Sequence, residues 1–298
     1  MAKIIEVNQQ FRLAGSLGIH RLGFGAMRLP TGGFHGPARD PEVGRALLRR
    51  AIELGVDHID TAAFYQSGDG AVRANALIRD ALYPYPAELV IATKVGPVFG
   101  PDGHRQLPAA GLRAAVEENL QTLGVDCLDL VYLRIGRMEV PHGESVAERF
   151  EALTRLREEG LIRHLGLSNV DLAQLEEASA IAPVAAVQNS FHVAQRADAA
   201  LLDACTSRGI GFAPFFPLGG GLTEINDPRL AKLAARHGAT PAQIALAWLL
   251  AISPVTLAIP GTGSLAHLEE NMAAGSIALS DEDLAELTVA APARTSQE

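Results

Sequence analysis

Asp60, Tyr65 and Lys94 are the residues best suited to acid–base chemistry, because they follow two neighbouring apolar segments. Asp60 and Tyr65 lie in or just after segment 58–62, and Lys94 ends the run Val-Ile-Ala-Thr-Lys. Lysine is rarely buried unless it is paired, and Asp60 on an adjacent strand would pair it. The ammonium would make a nearby phenol a stronger acid, able to protonate a developing alkoxide. Alternatively, Asp60 caps a helix, Tyr65 anchors a loop and Lys94 is solvated.

A second group of residues has the chemistry to bind a dinucleotide, and it also follows apolar segments. Hydroxyl and amide side chains can hydrogen-bond a carboxamide, and an aromatic ring can stack on a nicotinamide. Backbone N–H groups of glycines can bind a pyrophosphate, and a helix N-terminus attracts phosphate. Each feature alone is more often an ordinary turn, but their shared position favours a binding site. The residues are Ser168, Asn169, Gln188, Phe215, the glycines at 219–221 and the segment 260–264 that precedes a helix.

The elements that must position these residues alternate along the chain. Eight short apolar segments lie at 21–25, 58–62, 89–94, 128–133, 163–168, 184–188, 210–214 and 256–260. Amphipathic helices are predicted at 41–54, 70–82, 112–123, 146–159, 172–180, 197–206, 229–237 and 265–273. Continuous apolar strands separated by helices indicate a parallel sheet covered on both faces, and eight units predict an α/β fold, a (β/α)8 TIM barrel. A six-stranded open sheet is the alternative.

Segments outside the eight units predict a β-hairpin before them, at 4–18, and an extra helix after them, at 279–289. Asp40-Pro41 begins the first helix, and glycines at 55, 160 and 209 end later helices. Loops 31–39 and 99–107 form either a mobile wall of the substrate pocket or a flexible surface. No linker divides the chain, so residues 1–298 are predicted to form a single barrel domain.

Composition excludes several classes of function. An apolar fraction of 48% and a mean hydropathy of +0.15 exclude a disordered chain, and the net charge of −9 disfavours nucleic acid and anionic membranes. Cys127 and Cys205 indicate a reducing compartment, and the N-terminus lacks a signal peptide, so we expect a cytoplasmic protein. Arg28 replaces the third glycine of a GxGxxG motif, which argues against a Rossmann fold. No metal-ligand spacing or GxSxG motif is present.

Four motifs resemble the aldo-keto reductase family over roughly residues 15–290. They are Gly-Val-Asp-His-Ile-Asp-Thr-Ala at 55–62 with Tyr65, Ala-Thr-Lys at 92–94, Gly-Leu-Ser-Asn at 166–169, and Ile-Pro-Gly-Thr at 259–262 leading to Glu-Glu-Asn at 269–271. The resemblance implies a barrel that binds extended NADP(H), with Tyr65 as general acid, Lys94 strengthening that acid and Asp60 pairing with Lys94. It places the nicotinamide against Ser168, Asn169, Gln188 and Phe215, the pyrophosphate along Phe216, Leu218 and Gly220, and the adenosine against Ser264, His267, Glu270 and Asn271. Gly25, Ala26, Met27, Asp60, Gly261 and Thr262 complete the expected cofactor contacts.

Two positions depart from the family pattern. Arg134 stands where the family usually has histidine, and a guanidinium cannot release a proton near neutral pH. It either donates hydrogen bonds to the substrate or turns aside to pair with Glu139 or Glu144. Gly261 and His267 stand where many relatives have basic residues for the 2′-phosphate, which keeps NAD(H) possible although NADP(H) is favoured.

Arg134 and the segment 214–220 are similar to a bacterial branch of the family that includes pyridoxal reductases. That similarity implies a small-molecule carbonyl substrate, with Arg134 contacting the phenolate oxygen of pyridoxal. The alternative function is a nucleotide-binding regulatory barrel with little turnover. The oligomeric state is left open by the sequence.

Overall fold

The apolar segments of the sequence form strands, most of which pair into one parallel sheet. The computed structural model describes residues 10–33, 36–100, 103–136, 143–221, 225 and 227–288. In chain order the strands are β1 (Gln10–Leu13), β2 (Leu17–His20), β3 (Phe24–Gly25), β4 (His58–Asp60), β5 (Val90–Val95), β6 (Pro97–Gly100), β7 (Gly103–Gln106), β8 (Leu128–Arg134), β9 (Ile162–Ser168), β10 (Val184–Gln188) and β11 (Gly211–Phe212).

The sheet closes on itself. Strands β3, β4, β5, β8, β9, β10 and β11 are neighbours in that order, and each pair is parallel. Thr256 forms a parallel bridge with Phe212, and Ala258 forms one with Leu22, so residues 256–258 join the two edges of the sheet. Eight segments therefore form a ring, which confirms the predicted (β/α)8 barrel against the open sheet.

Two glycines allow the first and last segments of the ring to meet. The Gly25 N–H donates to the Pro260 carbonyl oxygen at 3.3 Å. A Cβ on Gly25 would lie 2.6 Å from the Ile259 carbonyl oxygen, and one on Gly261 would lie 2.5 Å from the Gly25 carbonyl oxygen. Any side chain at either position would separate the two segments, so both glycines have a structural role in barrel closure.

The helices are α1 (Pro41–Glu53), α2 (Ala74–Leu82), α3 (Ala109–Leu123), α4 (Ala147–Glu158), α5 (Leu172–Ile181), α6 (Ala199–Arg208), α7 (Pro228–His237), α8 (Pro241–Ile252), α9 (Leu265–Ala273) and α10 (Asp281–Thr288). Asp40 caps α1 by accepting from the Glu42 N–H at 2.9 Å, as its sequence predicts. The glycines at 55, 160 and 209 have positive φ values of 89°, 86° and 66°, which confirms them as helix-ending residues. Helix α8 is absent from the sequence-based prediction, because residues 244–250 are all buried and show no amphipathic period.

The predicted elements before and after the eight units are both present, although residues 4–9 of the predicted hairpin lie outside the described residues. Strands β1 and β2 form an antiparallel hairpin, and Leu13 and Ile19 pack with Val90 and Leu130 in the interior of the ring. The hairpin therefore fills one end of the barrel and leaves the other end, where the strands terminate, for the site. Helix α10 follows the eight units, and no described helix is long and apolar enough to cross a membrane.

Candidate active site

Lys94 lies at the carboxyl end of β5 and is buried, with 2% of its surface exposed. Its ammonium donates to Asp60 Oδ1 at 2.6 Å and to the Thr61 carbonyl oxygen at 3.0 Å. Asp60 ends the neighbouring strand β4, and the parallel register places it opposite Ala92, two residues before Lys94. The ion pair expected from the sequence is therefore present at the mouth of the barrel.

Tyr65 lies in the turn that follows β4, with its ring beside the Lys94 ammonium. Lys94 Nζ is 4.8 Å from the centre of the ring. Burial disfavours the charged form of Lys94, but the charge of Asp60 and the neighbouring Tyr65 hydroxyl outweigh burial, so the pKa of Lys94 is raised. The amine is consequently a permanent cation next to a phenol at neutral pH.

The second oxygen of Asp60 is also occupied. Gln188, at the end of β10, donates from Nε2 to Asp60 Oδ2 at 2.7 Å across the ring. Gln188 has no exposed surface, and among the described residues nothing donates to its buried Oε1. A buried acceptor without a donor is costly, and a carboxamide N–H is a group that would satisfy it.

A buried polar network behind Lys94 holds the ends of β4 and β5. Thr61 Oγ1 donates to Asn75 Oδ1 at 2.8 Å, and Asn75 Nδ2 donates to Asn119 Oδ1 at 3.1 Å. Thr93, the residue before Lys94, donates to the same Asn119 oxygen at 2.6 Å. Helices α2 and α3 thereby fix both residues that flank the ammonium. The sequence analysis missed Asn75 and Asn119, because asparagines on predicted amphipathic helices are expected to lie on the exposed face.

Arg134, at the end of β8, faces the same site. Its Nη1 donates to Ser168 Oγ at 3.1 Å, and its Cζ lies 4.9 Å from the centre of the Phe215 ring. Burial lowers the pKa of Arg134, while Tyr65 and Asp60 oppose that shift, so the guanidinium is close to the acid–base cluster. Glu144, a suggested partner of Arg134, accepts instead from Arg149 at 2.5 Å.

The other suggested partner, Glu139, lies outside the described residues.

The expected nicotinamide-binding side chains do converge at the mouth. Ser168 ends β9, and Asn169 follows it with a φ of 60° and donates to the Ile135 carbonyl oxygen at 2.9 Å. Ser168 has no exposed surface, and its hydroxyl accepts from Arg134. The Arg134 side chain therefore contacts both Ser168 and the Phe215 ring at the mouth.

The segment expected to bind pyrophosphate follows β11. Phe215 and Phe216 pack edge to face at 5.2 Å between ring centres, and Phe216 adopts a φ of 57°. Leu218 and Gly220 are half-buried, and the glycines at 219–221 all have positive φ values. Arg28, from the turn after β3, donates from Nη2 to the Gly220 carbonyl oxygen and from Nη1 to the Gly32 carbonyl oxygen, the latter at 2.7 Å. Arg28 thereby joins two loops at the mouth.

Comparisons with known proteins agree with this arrangement. A family model described as the aldo/keto reductase family matches residues 21–291. The chain belongs to this family. It is therefore an oxidoreductase, and it is 47% identical over 278 residues to pyridoxine 4-dehydrogenase of Escherichia coli K12, covering 92% of this chain and 95% of that one.

Solved structures of other reductases share the fold. A thermostable aldo-keto reductase in complex with the inhibitor epalrestat superimposes with a TM-score of 0.78 at 31% identity, covering 96% of this reductase and 98% of that chain. An aldo-keto reductase from Klebsiella pneumoniae in complex with NADPH superimposes with a TM-score of 0.77 at 27% identity, covering 95% and 94% of the two chains.

The residues expected at the adenosine end of this reductase gather at the start of α9. Ser264 caps the helix by accepting from the His267 N–H at 3.4 Å, and Thr262 Oγ1 accepts from the Ser264 N–H at 3.1 Å. His267 and Gly261 are exposed, whereas Asn271 is buried. Glu270 is half-buried, and its Oε1 accepts from the Thr240 hydroxyl at 2.5 Å.

Three expected cofactor contacts lie at the end of β3 and in the turn after it. Gly25 is committed to barrel closure, and Ala26 packs in the core with no exposed surface. Met27 is half-buried. Among the described residues of the reductase, no group of three or more His, Cys, Asp or Glu side chains is placed to hold a metal ion.

Proposed function

We propose that this aldo/keto reductase uses NADP(H) to reduce an aldehyde or ketone, with Tyr65 as the general acid. The observation that carries the proposal is Lys94 Nζ, bonded to Asp60 at 2.6 Å and 4.8 Å from the centre of the Tyr65 ring. In this position Tyr65 gives its hydroxyl proton to the carbonyl oxygen, and the adjacent ammonium stabilises the phenolate that remains. The product is the alcohol, and solvent reprotonates Tyr65.

The residues at the mouth fit the cofactor. NADP(H), when bound, supplies the hydride that the carbonyl carbon accepts. The orphaned Gln188 Oε1 would accept from the carboxamide N–H, the Ser168 hydroxyl would donate to the carboxamide oxygen, and the Phe215 ring would stack on the nicotinamide. Related reductases of this fold were crystallised in complex with NADPH and with NADP, which supports the choice of cofactor.

Replacing the phenol hydroxyl tests the proposed acid. In Tyr65→Phe, we expect kcat for aldehyde reduction to fall by about 10²- to 10⁴-fold, the usual contribution of a general acid. The Kd for NADPH, measured by protein fluorescence, should change little, because the hydroxyl is assigned to the substrate side. Phe64 is the matched control, because its ring packs edge to face on Tyr65 at 5.2 Å and carries no hydroxyl. Phe64→Leu should keep most of the activity, and full activity in Tyr65→Phe would contradict the proposal.

The same assay distinguishes the enzyme from a regulatory barrel. A regulator that only binds nucleotide has no need of a general acid, whereas this chain carries the complete Asp60, Lys94 and Tyr65 cluster. Purified protein should therefore oxidise NADPH in the presence of an aldehyde panel. Tight NADPH binding without oxidation by any aldehyde would favour the regulator.

Pyridoxal is the substrate we propose, with Arg134 as the residue that orients it. The relative that is 47% identical is named pyridoxine 4-dehydrogenase, the enzyme name for the reverse oxidation of the corresponding alcohol. The Arg134 guanidinium lies beside Phe215 and within the electrostatic influence of Tyr65. A charged N–H donor there can bind the phenolate oxygen next to the aldehyde of pyridoxal, after it leaves Ser168.

Arg134→Met tests that substrate assignment. We expect kcat/KM for pyridoxal to fall by about 10- to 100-fold, since a hydrogen bond to a charged group contributes about 1.5–3 kcal/mol. Benzaldehyde, which lacks the phenolate oxygen, is the control substrate and should lose much less. Equal kcat/KM for pyridoxal in the variant and the wild type would rule out this role for Arg134.

A further inference from the structure

Arg39 immediately precedes the cap of α1, and its side chain lies against the distant segment that leads into α9. A Cβ on Gly263 would be 2.4 Å from Arg39 Cζ and Nη1 and 2.7 Å from Nη2. A Cβ on Gly32 would be 3.3 Å from Nη2. The guanidinium therefore lies directly on the Gly263 backbone, in space that a larger residue at 263 would fill.

The charge of Arg39 is not neutralised within the described part of the chain. No described side chain or carbonyl accepts a hydrogen bond from its guanidinium, and its buried Nε has no partner there. The adjacent carboxylate of Asp40 accepts a hydrogen bond from the Glu42 N–H instead. Arginine near a protein surface usually finds a carboxylate or carbonyl acceptor, so an unsatisfied guanidinium in a chain with a net charge of −9 is notable.

A second cation lies close to Arg39. Burial lowers the pKa of Arg28, and the charge of Arg39 lowers it further, so the two guanidinium groups are near enough to repel each other. Arg28 is held in place by the Gly32 and Gly220 carbonyl oxygens. Its charge therefore adds to that of Arg39 at the edge of the same mouth, and both favour an anion there.

We infer that Arg39 binds the 2′-phosphate of NADP(H) and gives the reductase its preference for NADP(H) over NAD(H). This inference rests on the proposed cofactor. A phosphate monoester dianion matches a planar guanidinium, which can donate two parallel hydrogen bonds to it. The hydroxyls of Thr262 and Ser264 lie in the segment that Arg39 contacts, and Ser264 caps α9. Arg39 therefore supplies the charge that Gly261 and His267 do not.

Adenosine 2′,5′-bisphosphate and adenosine 5′-monophosphate isolate this contact, because they differ by the 2′-phosphate alone. We expect the wild type to bind the bisphosphate about 10- to 100-fold more tightly in isothermal titration calorimetry, the range of charge-assisted hydrogen bonds. Arg39→Met should lose most of that difference while its affinity for the monophosphate stays the same. Arg39→Lys should recover part of it, since lysine keeps the charge but not the planar fork.

Arg49→Met is the matched control, because Arg49 is an exposed arginine on the adjacent helix α1 and its removal changes the net charge equally. This variant should bind both nucleotides as the wild type does. Undiminished bisphosphate affinity in Arg39→Met would overturn the inference, yet the proposed function would stand if the wild type still oxidised NADPH with aldehydes. Conversely, loss of bisphosphate binding in Arg39→Met together with no turnover in the wild type would support the phosphate contact and reject the proposed reaction.

Discussion

Lys94 and Arg39 are two cations at the same end of the barrel, but they differ in whether the protein supplies hydrogen-bond acceptors for their charged groups. Lys94 is buried at a strand end, where Asp60 and the Thr61 carbonyl oxygen accept from its ammonium. Arg39 is half-buried in a loop, and no described group accepts from its guanidinium. The first site satisfies its charge internally, whereas the second leaves charge available to a ligand.

The difference follows from what each cation must do. A buried ammonium without a counterion costs several kcal/mol, so Lys94 can act on Tyr65 only if its partner belongs to the protein. A partly exposed guanidinium keeps some hydration, so Arg39 can remain unpaired at a modest cost until an anion arrives. The ammonium of Lys94, which must keep a fixed position beside Tyr65, is thus paired within the fold. The guanidinium of Arg39, which binds a ligand, is paired only when that ligand arrives.

Breaking the Lys94–Asp60 pair should give the largest effect. In Lys94→Met, Asp60 remains buried with Gln188 as its donor, and we expect a loss of about 3–5 kcal/mol in the free energy of unfolding. Aldehyde reduction should also fall by at least about 10²-fold, because the phenol loses its neighbouring cation. Because the pKa of Lys94 is raised, the stability difference should be complete below about pH 10 and shrink only at higher pH. Urea denaturation at several pH values and steady-state kinetics measure these quantities.

A control and a double variant separate charge pairing from catalysis. Lys232, whose side chain is 62% exposed, pairs with Glu286 at the surface, and Lys232→Met should change stability by no more than about 0.5 kcal/mol. Combining Lys94→Met with Asp60→Asn removes both charges, so stability should recover in large part while activity stays low. A double variant as active as the wild type would show that Lys94 has no role beyond packing.

The same comparison explains which features the sequence could predict. Lys94 is anomalous at the end of an apolar strand, so its burial and its pairing with Asp60 follow from the sequence and from the parallel order of strands. Arg39 lies in a polar, glycine-rich loop, where an arginine is unremarkable. Its loop is held by a local bridge between Thr31 and Ala38, but its contact with Gly263 depends on closure of the ring, a tertiary feature that no local pattern encodes.

Removing Arg39 should have the smallest effect on the ligand-free protein. The Arg39 guanidinium has a buried Nε without a described partner and lies near the cation of Arg28. Its removal therefore eliminates two unfavourable contributions, the desolvation of Nε and the repulsion from Arg28, and these offset the loss of packing contacts. We expect the free energy of unfolding of Arg39→Met to lie within about 0.5 kcal/mol of the wild type. Arg21→Met provides the contrast, because Arg21 is buried and donates to carbonyl oxygens of Thr256, Leu250 and Ser253, so its removal should be strongly destabilising.

Saturating NADP+ should then separate the wild type from Arg39→Met. A ligand stabilises the folded state by an amount that grows with its affinity, so NADP+ should raise the Tm of the wild type more than that of Arg39→Met. NAD+ should raise the two Tm values equally, because it lacks the 2′-phosphate. If Arg39→Met were instead destabilised as strongly as Arg21→Met without ligand, Arg39 would be a structural residue like Arg21, and the distinction between cations paired within the fold and a cation paired by the ligand would fail.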